Sequence, residues 1–131
     1  MTSHNSQVHT TRCDEKSFIK VKYSDLIHYK ANYHKKYVEV GGYFKYGFEM
    51  FKIQFDTATF SWDKNSDYKS YYSDIWIEFG SSNLYKGLDT LKGKHVLVKG
   101  LYDTSKYGHN EAYFAEIFDV CEIKQSTCAD N

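Results

Sequence analysis

Gly108 and His109 are the residues of this chain whose types and spacing most directly suggest chemistry. They lie in a polar turn, residues 104–110, before the last expected strand. With Asp103 nearby, His109 would act as a general base or a ligand contact, because a histidine oriented by a carboxylate accepts protons near neutral pH. The interpretation that we favour is structural: Gly108 adopts a positive φ, and His109 holds the turn through hydrogen bonds to the backbone. A base also needs a nucleophile or a substrate pocket, and the sequence indicates neither.

No catalytic or metal-binding motif is recognisable in the chain. The patterns G-x-S-x-G and H-E-x-x-H are both absent. The six histidines are scattered, whereas a metal requires ligands that converge with a defined geometry. We therefore predict a protein that is not an enzyme, with no metal and no other cofactor. An enzyme that uses His109 and Asp103 is the least favoured hypothesis.

Three cysteines, Cys13, Cys121 and Cys128, have no C-x-x-C spacing. An odd number at scattered positions favours free thiols in a reducing compartment. A Cys121–Cys128 or a Cys13–Cys128 disulfide is the less favoured alternative. No apolar run is long enough for a transmembrane helix, and residues 1–16 lack the apolar region of a signal peptide. We expect a cytoplasmic protein, or a periplasmic one if a leader has been removed, and no membrane partner.

Aromatic residues make up 18% of the chain, which is more than a core of this size needs. A long polar and aromatic loop, residues 56–72, also carries acidic side chains. Exposed Tyr and Trp beside charged groups are typical of hot spots between proteins, whereas acidic groups repel the phosphates of nucleic acids. In the alternative interpretation, the rings pack over the open ends of the fold. The predicted partner-binding residues are Trp62, Asp63, Asp67, Tyr68, Tyr71 and Tyr72.

Binding of single-stranded nucleic acid is the second functional hypothesis. Lys45, Tyr46, Lys52 and Trp76 would provide it, since bases stack on aromatic rings beside lysines. Lysine plus arginine and aspartate plus glutamate are equal at 17 each, and the only arginine is Arg12. Dedicated nucleic-acid binders usually have a basic excess, so this hypothesis ranks below protein binding.

Alternating apolar residues predict that these candidates sit on a mainly β domain. The domain should span residues 18–124, between disordered tails at 1–17 and 125–131. A short helix is expected near the start, and the spacing of Leu84, Leu88 and Leu91 predicts another between the third and fourth strands. The predicted strands cover 36–44, 48–55, 73–79, 94–103 and 112–123, and the first helix covers 24–31.

A short motif occurs twice, at an offset of 58 residues. Val38-x-Val40-x-Gly42 recurs as Val96-x-Val98-x-Gly100, with a lysine two residues before each copy. Two strands therefore meet the same demand: alternate valines face inward, and a glycine follows where the strand bends sharply, as at a barrel corner. Five strands with a helix between the third and fourth predict an antiparallel barrel of the OB type, which is a five-stranded Greek-key barrel.

The repeated motif, together with Val21-x-x-Ser24-x-Leu26, Gly108-His109 and a closing strand that ends Ile117-x-Asp119-Val120, resembles a family of small bacterial OB-like proteins. The similarity covers residues 21–123, and this chain differs from the pattern by its expanded loop 56–72 and by the asparagine after His109. The motifs are structural, so the resemblance implies a fold and no catalytic residue. By analogy with other small neutral bacterial domains, we expect a non-catalytic protein-binding module of the immunity-protein kind, which blocks a toxin-like effector by direct binding.

Overall fold

The computed structural model describes most of the chain between its N-terminal strand and Ser126. The described residues are 7–9, 13, 16–47, 50–55, 73–79, 87–109 and 113–126. They form seven strands, two short α-helices and a 3-10 helix. The elements are β1 (Gln7–His9), β2 (Ile19–Lys20), α1 (Tyr23–His28), α2 (Lys30–Tyr33), β3 (Lys36–Gly47), β4 (Met50–Gln54), β5 (Ile75–Phe79), the 3-10 helix (Leu88–Leu91), β6 (His95–Asp103) and β7 (Ala115–Gln125).

Five of the described strands close into a barrel, in the spatial order β3, β4, β5, β7, β6 and back to β3. β5 and β7 run parallel, with Ile77 opposite Ile117, and the other four junctions are antiparallel. The predicted mainly β barrel is confirmed, but the prediction that it is purely antiparallel is wrong. The physical reason is parity: directions cannot alternate at every junction of a closed ring of five strands, so at least one neighbouring pair must be parallel.

Two short strands outside the barrel, β2 and β1, pair with the parts of β3 and β7 that have no barrel strand on one side. On β3, β4 pairs with Tyr43–Gly47, and β2 pairs in parallel with Val38 and Glu39. On β7, β5 pairs from Ala115 to Val120, and β1 pairs with Glu122–Lys124. The strand β1 therefore lies within the predicted N-terminal tail, and β7 extends one residue beyond the predicted end of the domain.

The two copies of the valine–glycine motif pair with each other, because β3 and β6 are antiparallel neighbours. All four valines of the motif are fully buried in the core. A motif that pairs with its own copy explains why the sequence repeats at this one place. The register puts Val38 opposite Gly100, Val40 opposite Val98 and Gly42 opposite Val96.

The glycines of this motif allow close contact between neighbouring strands of the barrel. A Cβ atom on Gly100 would lie 2.6 Å from Ile117 Cγ2, and one on Gly42 would lie 3.0 Å from Ile53 Cβ. Gly100 sits where the register between β6 and β7 shifts, between Lys99 and Leu101. An irregularity in strand pairing therefore coincides with Gly100, one of the two glycines at which the motif predicts a bend.

The helical regions differ in detail from the prediction. Two helices, α1 and α2, take the place of one, because Tyr29 between them has a non-helical backbone with φ −125° and ψ 43°. The described part of the second helical region is a 3-10 turn whose Leu88 and Leu91 are fully buried. Gly93 follows it with a φ of 79°. None of the helices in the described segments is long and apolar enough to span a membrane.

A disulfide joins Cys13 to Cys121, with Cα atoms 5.4 Å apart and a sequence separation of 108 residues. The prediction of free thiols is wrong for these two residues, and Cys128 lies outside the described residues. The pairing of β1 with the end of β7 brings Cys13 beside Cys121. Sequence spacing carries no sign of this contact, because it depends on a tertiary strand pairing.

Candidate protein-binding site

The six predicted partner-binding residues, Trp62, Asp63, Asp67, Tyr68, Tyr71 and Tyr72, lie outside the described residues. The structure does describe the residues that flank segment 56–72, which are Phe55 just after β4 and Ser73 before β5. Both of them line one groove on the protein surface. The geometry around the base of the segment is therefore the part of the predicted site that the structure defines.

The groove at the base of segment 56–72 has a volume of about 190 Å³, and its exposed lining is almost entirely apolar. Phe55, one of the residues that line it, is 44% exposed. Large apolar side chains that remain exposed next to a groove are typical of a surface that binds a partner. The lining residues are Tyr23, Ser24, Ile27, His28, Phe55 and Ser73.

The wall of the groove comes from α1, whose helical spacing separates two faces. Tyr23 and Leu26 point into the core and are buried. Ser24, Ile27 and His28 are at positions i, i+3 and i+4, so they lie on one face of the helix, and this face borders the groove. Ile27 also packs against the core. The helix thus presents a partly apolar face beside Phe55.

Tyr23 links the two chain ends of segment 56–72. Its hydroxyl group has one proton, which it shares between two acceptors. These are the carbonyl oxygen of Ile53, at 3.0 Å, and the carbonyl oxygen of Ser73. Burial raises the pKa of Tyr23 well above its usual value, and the nearby charge of Asp74 raises it further. The hydroxyl group therefore stays protonated and keeps its hydrogen bond across the base of the segment.

A buried ion pair makes a second link at the same place. The Nζ atom of Lys52 on β4 lies 2.6 Å from Oδ2 of Asp74, just before β5, and both side chains are 2% exposed. Burial raises the pKa of Asp74, and the positive charge of Lys52 lowers it by less. Lys52 also lies over the ring of Tyr113, 5.9 Å from its centroid. The two ends of the segment are thus held by Tyr23 and by this pair.

The turn that contains Gly108 and His109 packs against the outer side of β5. Gly108 has a φ of 69°, which agrees with the positive φ expected there, and a Cβ atom on it would lie 2.6 Å from Cβ of Trp76. The ring of His109 stacks on Trp76, with centroids 5.8 Å apart. The Nε1 group of Trp76 donates to Glu78 at 2.9 Å. His109 therefore has a packing role that the sequence does not reveal.

Asp103, the suggested catalytic partner of His109, belongs to a different group of side chains. Its Oδ1 atom accepts hydrogen bonds from the amide and hydroxyl groups of Ser105 at 2.8 and 2.5 Å, and Lys35 Nζ lies 3.0 Å from Oδ2. His34 Nδ1 is 3.8 Å from Oδ1 and accepts a hydrogen bond from the amide of Thr104 at 3.0 Å. Because this nitrogen is an acceptor, it does not donate to Asp103 as a histidine in a catalytic triad would.

The pKa of Asp103 follows from those contacts. Burial alone would raise it, but the hydrogen bonds from Ser105 and the interaction with Lys35 outweigh burial and lower the pKa to about 2. The carboxylate is therefore charged, and its hydrogen bonds with Ser105 hold it in the turn after β6. Across the part of the chain that the structure describes, no group of three or more His, Cys, Asp or Glu side chains has the geometry of a metal site.

The residues suggested for nucleic-acid binding do not form an open surface. Lys52 and Trp76 are buried, at 2% and 6% exposure, and Lys45 and Tyr46 are half-buried. A buried lysine that is already paired with Asp74 does not contact a phosphate without breaking that pair. This arrangement gives no stacking platform at the four positions.

Sequence reasoning missed Tyr23, Ile27, His28 and Phe55 as site residues. The alternation of Phe51, Ile53 and Phe55 predicts that all three face inward, but Ile53 is fully buried while Phe55 is exposed. Because β4 ends at Gln54, Phe55 does not follow the alternation of the strand.

A scan against models of protein families found no match, and searches of curated proteins and of solved structures found no similar protein.

Proposed function

We propose that this protein is a non-catalytic binding module that recognises another protein through segment 56–72 and the groove at its base. The observation that carries the proposal is the apolar groove between α1 and Phe55, which adjoins both ends of the aromatic segment. Binding residues are commonly placed on connecting segments that a rigid scaffold positions. Here the scaffold is the closed barrel, and the links are Tyr23 and the Lys52–Asp74 pair.

The chemistry of the site suggests a partner with an apolar anchor inside a basic surface. A large apolar side chain of the partner would fill the groove against Ile27 and Phe55. Asp63 and Asp67 would face basic groups, while Trp62, Tyr68, Tyr71 and Tyr72 provide the contact area typical of hot spots. Immunity proteins, which neutralise a toxin by covering its active site, use a small domain in this way, and we propose such a role by analogy.

We also propose that the barrel is of the OB type. Its closure from five strands supports this proposal, as does the short helix that lies between the third and fourth barrel strands. Fold does not determine function, so the protein-binding role rests on the groove and the segment.

The test compares the wild-type protein with a groove variant, a segment variant and a matched control. Partners are captured from the native lysate, with and without nuclease, and the captured protein is purified for calorimetric titration. The groove variant is Phe55→Asp, and the segment variant is Trp62→Ala with Tyr71→Ala. The control is Tyr107→Ala, which removes another aromatic ring that is 44% exposed but lies outside the groove.

We expect Phe55→Asp and the segment variant each to weaken the complex at least tenfold, with melting temperatures close to that of the wild type. Tyr107→Ala should leave the affinity unchanged. Equal affinity for all four proteins would contradict the proposal, as would failure to capture any stoichiometric protein. Captured nucleic acid that is lost with nuclease or salt would support the second hypothesis instead.

A further inference from the structure

One edge of β7 is shared by two strands from distant parts of the chain. β5 pairs with β7 in parallel as far as Val120, and β1 continues the same edge in the antiparallel direction. The register of β1 places Gln7 opposite Lys124, Val8 opposite Ile123 and His9 opposite Glu122. Without β1, this end of β7 would present unpaired backbone groups, which are a template for another strand.

The contact between β1 and β7 is short. It covers three residues, and Ile123 opposite its centre is fully buried in the core. Each residue that is ordered loses conformational entropy, and three backbone pairs offer little to offset that loss. The strand therefore depends on something that keeps it close to its edge.

The disulfide between Cys13 and Cys121 supplies this proximity. Cys13 is four residues after the end of β1, and Cys121 immediately precedes the paired residues of β7. Both cysteines are buried, at 6% and 2% exposure. The bond thus raises the effective concentration of β1 at its edge of β7.

We propose that the Cys13–Cys121 bond is a redox-sensitive latch that holds β1 on β7, and that reduction releases β1 and exposes this edge of β7.

The chemical step is thiol–disulfide exchange with a dithiol reductant. One thiolate of the reductant attacks the sulfur of Cys13, the more exposed residue of the pair, and releases Cys121 as a thiolate that takes up a proton. The second thiol of the reductant then attacks the mixed disulfide and releases Cys13. Two electrons and two protons pass to the protein, and the reductant leaves as a disulfide.

The test is hydrogen–deuterium exchange of the full chain with Cys128→Ser, so that Cys13 and Cys121 are its only cysteines. The oxidised and dithiol-reduced forms are compared, and Cys13→Ser with Cys128→Ser is the matched variant that never forms the bond. We expect peptides over 7–9 and 122–125 to exchange at least tenfold faster after reduction, and in the matched variant with or without reductant. Peptides over 38–40 and 96–98 should not change.

Two results would overturn the latch. If exchange at 7–9 and 122–125 is unaffected while mass measurement shows the bond broken, β1 does not need it. If exchange accelerates throughout the barrel, the bond stabilises the whole fold and is not a local latch.

Discussion

Asp74, at the base of segment 56–72, and Asp103, in the turn after β6, are both buried carboxylates beside a lysine, yet their pKa values shift in opposite directions. Burial raises the pKa of Asp74 in spite of the charge of Lys52. For Asp103 burial acts in the same direction, but two hydrogen bonds from Ser105 and the interaction with Lys35 lower the pKa to about 2. The balance between desolvation and donated hydrogen bonds decides the sign.

The two regions differ in the contacts that stabilise the buried carboxylate. The turn satisfies its carboxylate locally, because Ser105 is two residues away and Lys35 keeps its ammonium group in contact with water at 58% exposure. The base of segment 56–72 relies on a pair that is removed from water, in which each charge depends on the other. It is therefore the region where loss of one side chain should cost most.

The largest expected effect is that of Lys52→Met, which removes the partner of a buried carboxylate. We expect the free energy of unfolding to fall by about 3–5 kcal/mol, the range for a broken buried ion pair, measured by urea denaturation at pH 7. The double variant Lys52→Met with Asp74→Leu should recover most of this loss, because no charge is then left buried.

Lys35→Met is the matched control for that prediction. Its ammonium group is largely exposed, so the loss should be at most about 1 kcal/mol. Equal losses for Lys52→Met and Lys35→Met would show that the two regions do not differ in the way described.

A smaller effect is expected where packing, not charge, fixes the turn. Gly108 and Gly93 both have positive φ, but a Cβ atom on Gly108 would meet Trp76, whereas one on Gly93 would meet no atom within 4 Å. We expect Gly93→Ala to cost about 1 kcal/mol for the left-handed backbone alone and Gly108→Ala about 2–3 kcal/mol, since overpacking adds to the strain. Thermal unfolding of both variants measures the difference, and equal costs would mean that the contact with Trp76 relaxes freely.

The smallest effect is the dependence of stability on pH. The lowered pKa of Asp103 stabilises the folded protein above pH 3.8, and this contribution is lost as the pH falls through about 2. We expect Asp103→Asn to cost about 1 kcal/mol at neutral pH, because solvent screens the Lys35 pair, and the difference from the wild type should vanish near pH 2.

Asp74 should act with the opposite sign. Its raised pKa means that the folded state binds the proton more tightly than the unfolded state, so stability falls as the pH rises above 3.8. Lys52→Met with Asp74→Leu should lack this fall, as acid titrations of urea unfolding would show. A contribution of Asp74 that grows with pH would contradict the sign of its pKa shift.

The barrel strands could be predicted from the sequence because the alternation of apolar residues is a local signal. Val38 and Val40 on β3, and Val96 and Val98 on β6, alternate along their strands and are all buried. The parallel pairing of β5 with β7 has no local signal, but a closed ring of an odd number of strands demands it. The predicted number of strands alone therefore implies at least one parallel pair in a closed barrel.

The candidate site was harder to predict from the sequence, since it depends on contacts between segments that are distant along the chain. Tyr23 meets Ser73 across 50 residues, Lys52 meets Asp74 across 22, and Cys13 meets Cys121 across 108. No spacing rule links these pairs. The aromatic composition of segment 56–72 does predict a binding role, and the roles of its six named residues stay predictions.

The most direct test of the central claim is the hydrogen-exchange footprint of the protein in complex with its purified partner. We expect protection at residues 23–28, at 55 and over segment 56–72, with residues 104–109 unchanged between the free and bound states. Protection confined to 104–109, with the groove and the segment unaffected, would contradict the claim and place the interface at the turn.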